Sequence, residues 1–345
     1  MQNERAYAYA KACGIIGKSF IGKRAYSLHN LHSLSELDRL VFPETSRDLP
    51  EKKLLSDLEK RISRRAVDSI IAIIECFSRP EEFLTRLLRS YEYADLKTAL
   101  VSFQETYRSA PSYTDLRQFQ TVRFKKWPDI KAMIEGTEFE FLLENTGDMD
   151  TENDYISLQT TLDRQYYNLL WKSLLSLPRS DRYAAGKILK DEISIKNSTW
   201  VLRLRTYYRM SPDEIKNHLI SIPVKKKKGL LDSSPSATLA DEALACLELP
   251  LDNYEPWSSW HWKDFLNSAS QDRWNLDPRY FQNSSSRYLY RLARHHFRLH
   301  PFSLDTVFCF IKMKQFEEDV LTSSVEGIGV GMSGKDVISS LGVES

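Results

Sequence analysis

Apolar residues return at every third or fourth position along most of this chain. Leu84, Leu87, Leu88 and Tyr91 make one stripe, and Leu96, Ala99, Leu100 and Phe103 make the next. A third comprises Leu162, Tyr166, Leu169, Leu170 and Leu174, and a fourth Leu304, Val307, Phe308 and Ile311. That spacing gathers the apolar side chains on one side of a helix, which must then be buried against a neighbour. VLRLRTY, from Val201 to Tyr207, alternates as a strand would, but its flanks keep the helical period. With only 12 glycines in 345 residues, the chain lacks the many tight turns of a sandwich or barrel. The predicted class is all-α.

Four segments share an opening: SLSELDRL from Ser33, SYTDLRQF from Ser112, SPDEIKNHL from Ser211 and SGKDVISSL from Ser333. In each, an acid follows the serine by three positions and an aliphatic residue comes next. This is the pattern of a capping box. The hydroxyl accepts from the third helical N–H and the acid reaches back to the N–H of the serine. The last two copies stand 122 positions apart, and the same shift carries Tyr166 onto Tyr288, Leu170 onto Leu292 and Lys190 onto Lys312. The reading is of three related helical units, 1–111, 112–210 and 211–345. A loop or long hairpin near 223–240, rich in Lys, Ser and Pro, interrupts the third. An acidic loop from Glu144 to Asp154 lies within the second.

Charge narrows the function classes. Lys and Arg number 48 against 47 Asp and Glu, so no global field draws the molecule to nucleic acid. Cys13, Cys76, Cys246 and Cys309 lie far apart without a CxxC pair or a nearby His, and read as reduced, buried thiols of a cytosolic protein rather than a disulfide frame or zinc site. The opening MQNERAYAYAKACGIIGKSF lacks the apolar core of a signal peptide. DSIIAIIECF and DTVFCFI are too short to span a bilayer, so no transmembrane segment is expected.

Near the end, Gly329, Gly331 and Gly334 spell GxGxxG, and Gly329 to Lys335 spell GxxxxGK. A phosphate loop needs a strand before it and a hydroxyl after its lysine. Here the preceding KMKQFEEDVL is helical in period, and Asp336 replaces the hydroxyl and would repel phosphate. The ten residues after Lys335 leave no place for a ribose-binding acid. No bound nucleotide and no cofactor are expected; Gly327, Gly329 and Gly331 are read as ending one helix and turning into the next cap.

His296 and His300 have ligand-pair spacing, but Phe297 and Arg298 follow where HExxH has its acid, so these histidines read as polar helix surface. Neither a GxSxG run nor a nucleophile beside an obvious base appears. Catalytic and metal residues are therefore expected to be absent. Glu317, Glu318 and Asp319 read as a wet helix face. The run Lys225, Lys226, Lys227 and Lys228 reads as a solvated loop tip or a contact for an acidic partner or lipid headgroups. Trp257, Trp260 and Trp262 read as core filling, or as a contact patch if exposed.

Several runs together resemble a known family. YAYAKACGIIGKSFIGKRAYSLHNLHSLSELDRLVF, with Tyr9 at its head, is similar to the opening helices of the C subunit of prokaryotic V/A-type rotary ATPases, the counterpart of the d subunit in the eukaryotic vacuolar ATPase. YEYADLKTALVSFQ resembles a family step in which Glu92 and Asp95 stand where Asp and Asn are usual, with Lys97 kept. LQTTLDRQYYNLLWKSL and DEISIKNSTWVLRLRTYYRMSPDEI match through Asp163, Tyr166, Tyr167, Asn197 and Arg203. HPFSLDTVFCFIKMKQFEEDVL keeps Lys314 and Glu317, while Gln315 replaces a usual Glu and Val320 and Thr322 a late Asn and Arg.

The resemblance implies three similar helical domains around a pseudo-threefold axis, forming a funnel on the cytoplasmic face of a membrane. Its open end would receive the tip of the central shaft, made of the D and F subunits, and its closed base would sit on the proteolipid ring. Such a protein couples ATP hydrolysis or synthesis to ion movement without chemistry of its own. Candidate partner contacts are Arg203, Arg205 and Lys97, with Lys225 to Lys228. A helical-repeat scaffold for an unrelated soluble partner is the competing expectation.

Overall fold

The computed structural model describes residues 2–104, 111–144, 152–224, 237–267 and 274–341. Among them stand thirteen α-helices, and the only β pairing is an isolated bridge between Pro223 and Thr238. The first five helices are α1 (Gln2–Ile16), α2 (Leu34–Val41), α3 (Glu51–Ile74), α4 (Glu82–Leu88) and α5 (Ser90–Gln104). The middle of the chain forms α6 (Ile130–Ile134), α7 (Glu152–Ser176), α8 (Tyr183–Thr206), α9 (Pro212–Lys216) and α10 (Asp241–Ala245). The last three are α11 (Pro278–Leu299), α12 (Leu304–Gly329) and α13 (Gly334–Leu341). VLRLRTY is helical, the end of α8. The first stripe spans two helices, because the chain turns at Arg89 between α4 and α5.

The 122-residue shift is legible in these bounds. It lays α7 on α11, α8 on α12 and α9 on α13, with starts agreeing to within four residues. Caps account for part of the register. Ser211 forms the full box, its oxygen accepting from the Glu214 N–H and Glu214 receiving the N–H of Ser211. Ser333 accepts from the Asp336 N–H at 3.2 Å and donates to its carboxylate. Ser33 accepts from the Glu36 N–H, but Glu36 reaches past it to the N–H of His32. The cap expected at Ser112 does not form. Asp95 draws in the N–H of Thr114 at 2.7 Å, and the segment runs on extended to a short 3-10 turn at Arg117–Phe119.

The stripes predicted from spacing are core. Leu84, Leu87, Leu88, Leu96, Leu162, Leu170, Phe308 and Ile311 are fully buried, each contributing on the order of 2 kcal/mol from its apolar area; the side chain of Phe103 lies outside the described ones. Most helices share this core. A second cluster packs the end of α8 against Trp257, Trp260, Trp262, Trp274 and Phe281. Those indoles are core filling, and each N–H finds an oxygen: Pro250 O, Glu242 O, Ser194 Oγ and Asn267 O respectively. At the interrupting hairpin, Val224 and Ala237 close a stem, and Asn197 bonds Ile220 and Leu239 across it. Residues 225–236 lie outside the described ones, as does 145–151 of the acidic loop.

The glycine run is packing, not a cradle. Gly331 has φ +89°, its N–H bonds Ile328 O, and the next N–H, of Met332, bonds Gly327 O, the paired bonds that stop a helix. A Cβ on Gly327 would stand 2.4 Å from Val337 and one on Gly334 2.0 Å from the carbonyl oxygen of Leu28. These glycines let α12 and α13 close on their neighbours.

The amino ends of α8 and α12 cap each other. Asp305 accepts from the N–H groups of Ala184 and Ala185, both at 2.9 Å. Asp181 accepts from the N–H of Leu304 and holds Arg5 of α1 in a two-pronged ion pair. Each carboxylate thus satisfies donors a helix cannot satisfy itself.

Candidate functional site

One face of α12 borders an open groove rather than a sealed core. Lys312, Gln315, Asp319, Thr322, Ser323 and Glu326 recur at helical spacing and end at Val330, on the side away from the Leu304–Ile311 stripe. Across from them stand Arg279, Gln282, Asn283 and Ser286 of α11. Arg203 of α8 and Ser340 of α13 close the wide end; Ile188 and Glu192 of α8 close the narrow one. Three adjoining depressions follow this face and share walls. They shrink from about 490 Å³ beside Val330 and Met332, through about 260 Å³ at Asp319 and Glu326, to about 140 Å³ at Lys312.

Charge is arranged unevenly along this tapering groove. At its narrow end Glu192 accepts from Lys312 at 2.8 Å and from the Tyr167 hydroxyl at 3.1 Å, both on Oε1, while its buried Oε2 has no hydrogen bond among the described residues. Further out, Asp319, Glu326, Arg203 and Arg279 have no side-chain hydrogen bond or ion pair among the described residues. Asp319 keeps contact with water along the groove, yet protein crowds it. That desolvation, with Glu318 beside it, pushes its carboxyl up to about 7, against the pull of Lys312. Burial likewise raises Glu318, whose carboxylate accepts from the Tyr91 hydroxyl. Four unpaired charges in a concave wall open to solvent are a standing capacity for contact, since pairing them with another molecule costs less desolvation than in a sealed core.

The family described as ATP synthase (C/AC39) subunit matches residues 43–339. The chain belongs to this family. A protein of Treponema pallidum (strain Nichols), described only as uncharacterized, is 26% identical over 327 residues, covering 94% of this chain and 92% of its own. The match corresponds to the C, or d, subunit of V/A-type ATPases. No helix among the described residues is long and apolar enough to cross a membrane.

In this AC39 chain the predicted contact residues fall in different places. Arg203 lines the wide end of the groove. Lys97 lies inside the fold, 2.8 Å from Asp163, whose other oxygen faces Lys196 at 3.4 Å, so α5, α7 and α8 meet at one carboxylate. Arg205 donates to the carbonyls of Cys246 and Leu249 and fastens the turn after α10. Lys225, Lys226, Lys227 and Lys228 lie outside the described residues.

Three sequence expectations are corrected. Cys246 and Cys309 are buried as read, but Cys13 is exposed and Cys76 half-buried, because α1 leaves the side carrying Cys13 open. Glu317 is no wet surface acid: it is 2% exposed, ion-paired with the equally buried Lys314, and accepts the N–H of Phe20 at 2.8 Å. Burial of so strong a pair is tolerated because both partners are satisfied. His296 is likewise buried, which lowers its pKa, whereas His295 and His300 are on the surface as expected. Sequence reasoning missed Asp319, Glu326 and Arg279. The signal was available as a polar stripe along α12, opposite the apolar stripe that was used.

Proposed function

We propose that this ATPase subunit is the non-catalytic socket of the rotor, holding the tip of the central shaft and joining it to the proteolipid ring. The observation that carries the reading is the tapering groove with its four unpaired charges. A rotating connection must grip its shaft firmly enough to pass torque, and charged contacts at matched positions resist rotation better than a smooth apolar wall. The wide end, with Arg203, Arg279 and Val330, would admit the shaft tip built by the D and F subunits. Three related helical units around a pseudo-threefold axis would supply such a hollow, and the 122-residue correspondence of α7–α9 with α11–α13 supports that organisation. The protein would sit on the cytoplasmic face of the membrane and couple ATP hydrolysis or synthesis to ion movement.

The test is assembly with coupling. The chain should co-purify with shaft and ring subunits, and its deletion should leave ATP hydrolysis by the catalytic head while abolishing ion pumping. Coupled pumping without it would overturn the proposal, as would recovery of the chain only with soluble proteins foreign to the ATPase.

A further inference from the structure

At the other end of α12 from the groove's mouth, about 39 Å away at 1.5 Å per residue, three helical hairpins turn. Their tips are 75–81 between α3 and α4, 177–182 between α7 and α8, and 300–303 between α11 and α12. The first half of α1 touches all three. Glu4 accepts from the N–H of Ser78, Arg5 pairs with Asp181, and Tyr9 packs edge-on to Phe302 at 6.0 Å.

Two of the three tips carry an unusual surface for a chain whose net charge is +1; the first, with Glu75 and Glu81 against Arg79 and Glu4 beside it, does not. From Tyr290 to Phe302 there are three arginines, three histidines and no carboxylate. From Lys172 to Lys190 the basic residues are Lys172, Arg179, Arg182, Lys187 and Lys190, and the one acid, Asp181, is already buried and paired with Arg5. Interleaved with them, large apolar side chains stand in water: Tyr183 is 69% exposed, Tyr7 61%, and Leu175, Phe302 and Leu299 about half. The two hairpin tips are locked side by side by the Asp181 and Asp305 caps, so the residues form one footing rather than scattered points.

We infer that this end is a footing for an anionic phospholipid surface, with Arg179, Lys187 and Arg298 facing headgroup phosphates and Tyr183 and Phe302 entering the interfacial layer. Charge complementarity selects the occupant: a local excess of cations attracts an anionic surface, and tyrosine and phenylalanine seat at the headgroup level where one side is apolar and the other wet. An acidic protein surface would use the cations but gives no equal reason for five exposed apolar side chains around them. This goes beyond the socket reading and does not depend on it.

The experiment is co-sedimentation of the purified full chain with vesicles of phosphatidylglycerol and of phosphatidylcholine. Binding is expected to the first and not the second, and to weaken as salt is raised. Each basic residue near such a surface contributes roughly fivefold in affinity, so Arg179→Glu with Arg298→Glu should weaken binding by more than about twentyfold. Tyr183→Ser, on a side chain mostly in water, should weaken it without affecting the fold, which circular dichroism would check. Lys52→Glu with Lys53→Glu, at the start of α3 near the groove's end, should leave binding unchanged. Equal affinity for both vesicles, no association with either, or indifference to the Arg179/Arg298 reversal would overturn the inference. Failure here with intact co-purification of shaft and ring would leave the socket standing.

Discussion

At the scale of single residues, protonation is where this fold departs most from expectation. Asp95 sits under the 113–122 segment, and burial pushes its carboxyl up to about 6 although the Thr114 N–H pulls the other way. Its pKa in the unfolded chain is near the ordinary 3.8. A carboxyl raised on folding lends stability that is full below pH 3.8 and is lost as the pH climbs through 6. Asn would keep an acceptor for Thr114 without the charge. Asp95→Asn should therefore raise stability at pH 8 by about 1–2 kcal/mol and bring no gain at pH 3.5, read from denaturant midpoints at the two pH values. Asp319, raised to about 7, carries the same pH-dependent cost above its pKa and bears on contact as well. With its carboxyl near 7, a cationic partner group would bind the charged form, so under the proposed socket role affinity for the shaft should fall as the pH drops from 8 to 6. Asp319→Asn should bind more weakly at pH 8 and lose that dependence, measurable by titration calorimetry; an unchanged slope would remove Asp319 from the contact.

Among elements, the decisive features are places where two helices meet without room to spare. Gly334→Ala would drive a methyl into the carbonyl of Leu28, so α13 must lift, at a cost of about 3 kcal/mol. Asp305→Ala should release the N–H groups of Ala184 and Ala185, cost about 1–2 kcal/mol, and speed hydrogen exchange at the start of α8, on a different helix from the substitution. Exchange enhanced only within α12 would contradict the mutual cap. Helix existence was legible because apolar periodicity is a property of local sequence, and Ser211 and Ser333 announced α9 and α13 for the same reason. Ser112 misled because its acid, Asp115, turns to the backbone of Arg117, while Asp95, back on α5, takes the N–H of Thr114. Only tertiary contact decides between those partners. The burial of Glu317 and the isolation of Asp319, two positions apart, could not be told from spacing either, since each depends on what α3 and α11 bring alongside.

For the whole molecule, the useful distinction is between charges that hold the fold and charges held in reserve. Lys97, Arg205, Lys314 and Glu317 are spent on internal partners, so substituting them should lower stability and assembly together. Arg203 and Arg279 are not. Arg203→Glu with Arg279→Glu should leave the melting temperature nearly unchanged while weakening capture of the shaft at least tenfold, the effect of losing about 1.4 kcal/mol or more. A parallel loss of melting temperature would mean that these arginines serve the fold instead.

The hold of α1 on three distant hairpins also bears on biosynthesis. α1 meets Ser78 early in synthesis, but Asp181 emerges only about halfway along the chain and Phe302 much later. Contacts separated by so much sequence form late and are slow to close. During translation α1 can settle on α3 early, but the side of it that meets α12 stays uncovered, a landing place for a chaperone until the final hairpin arrives.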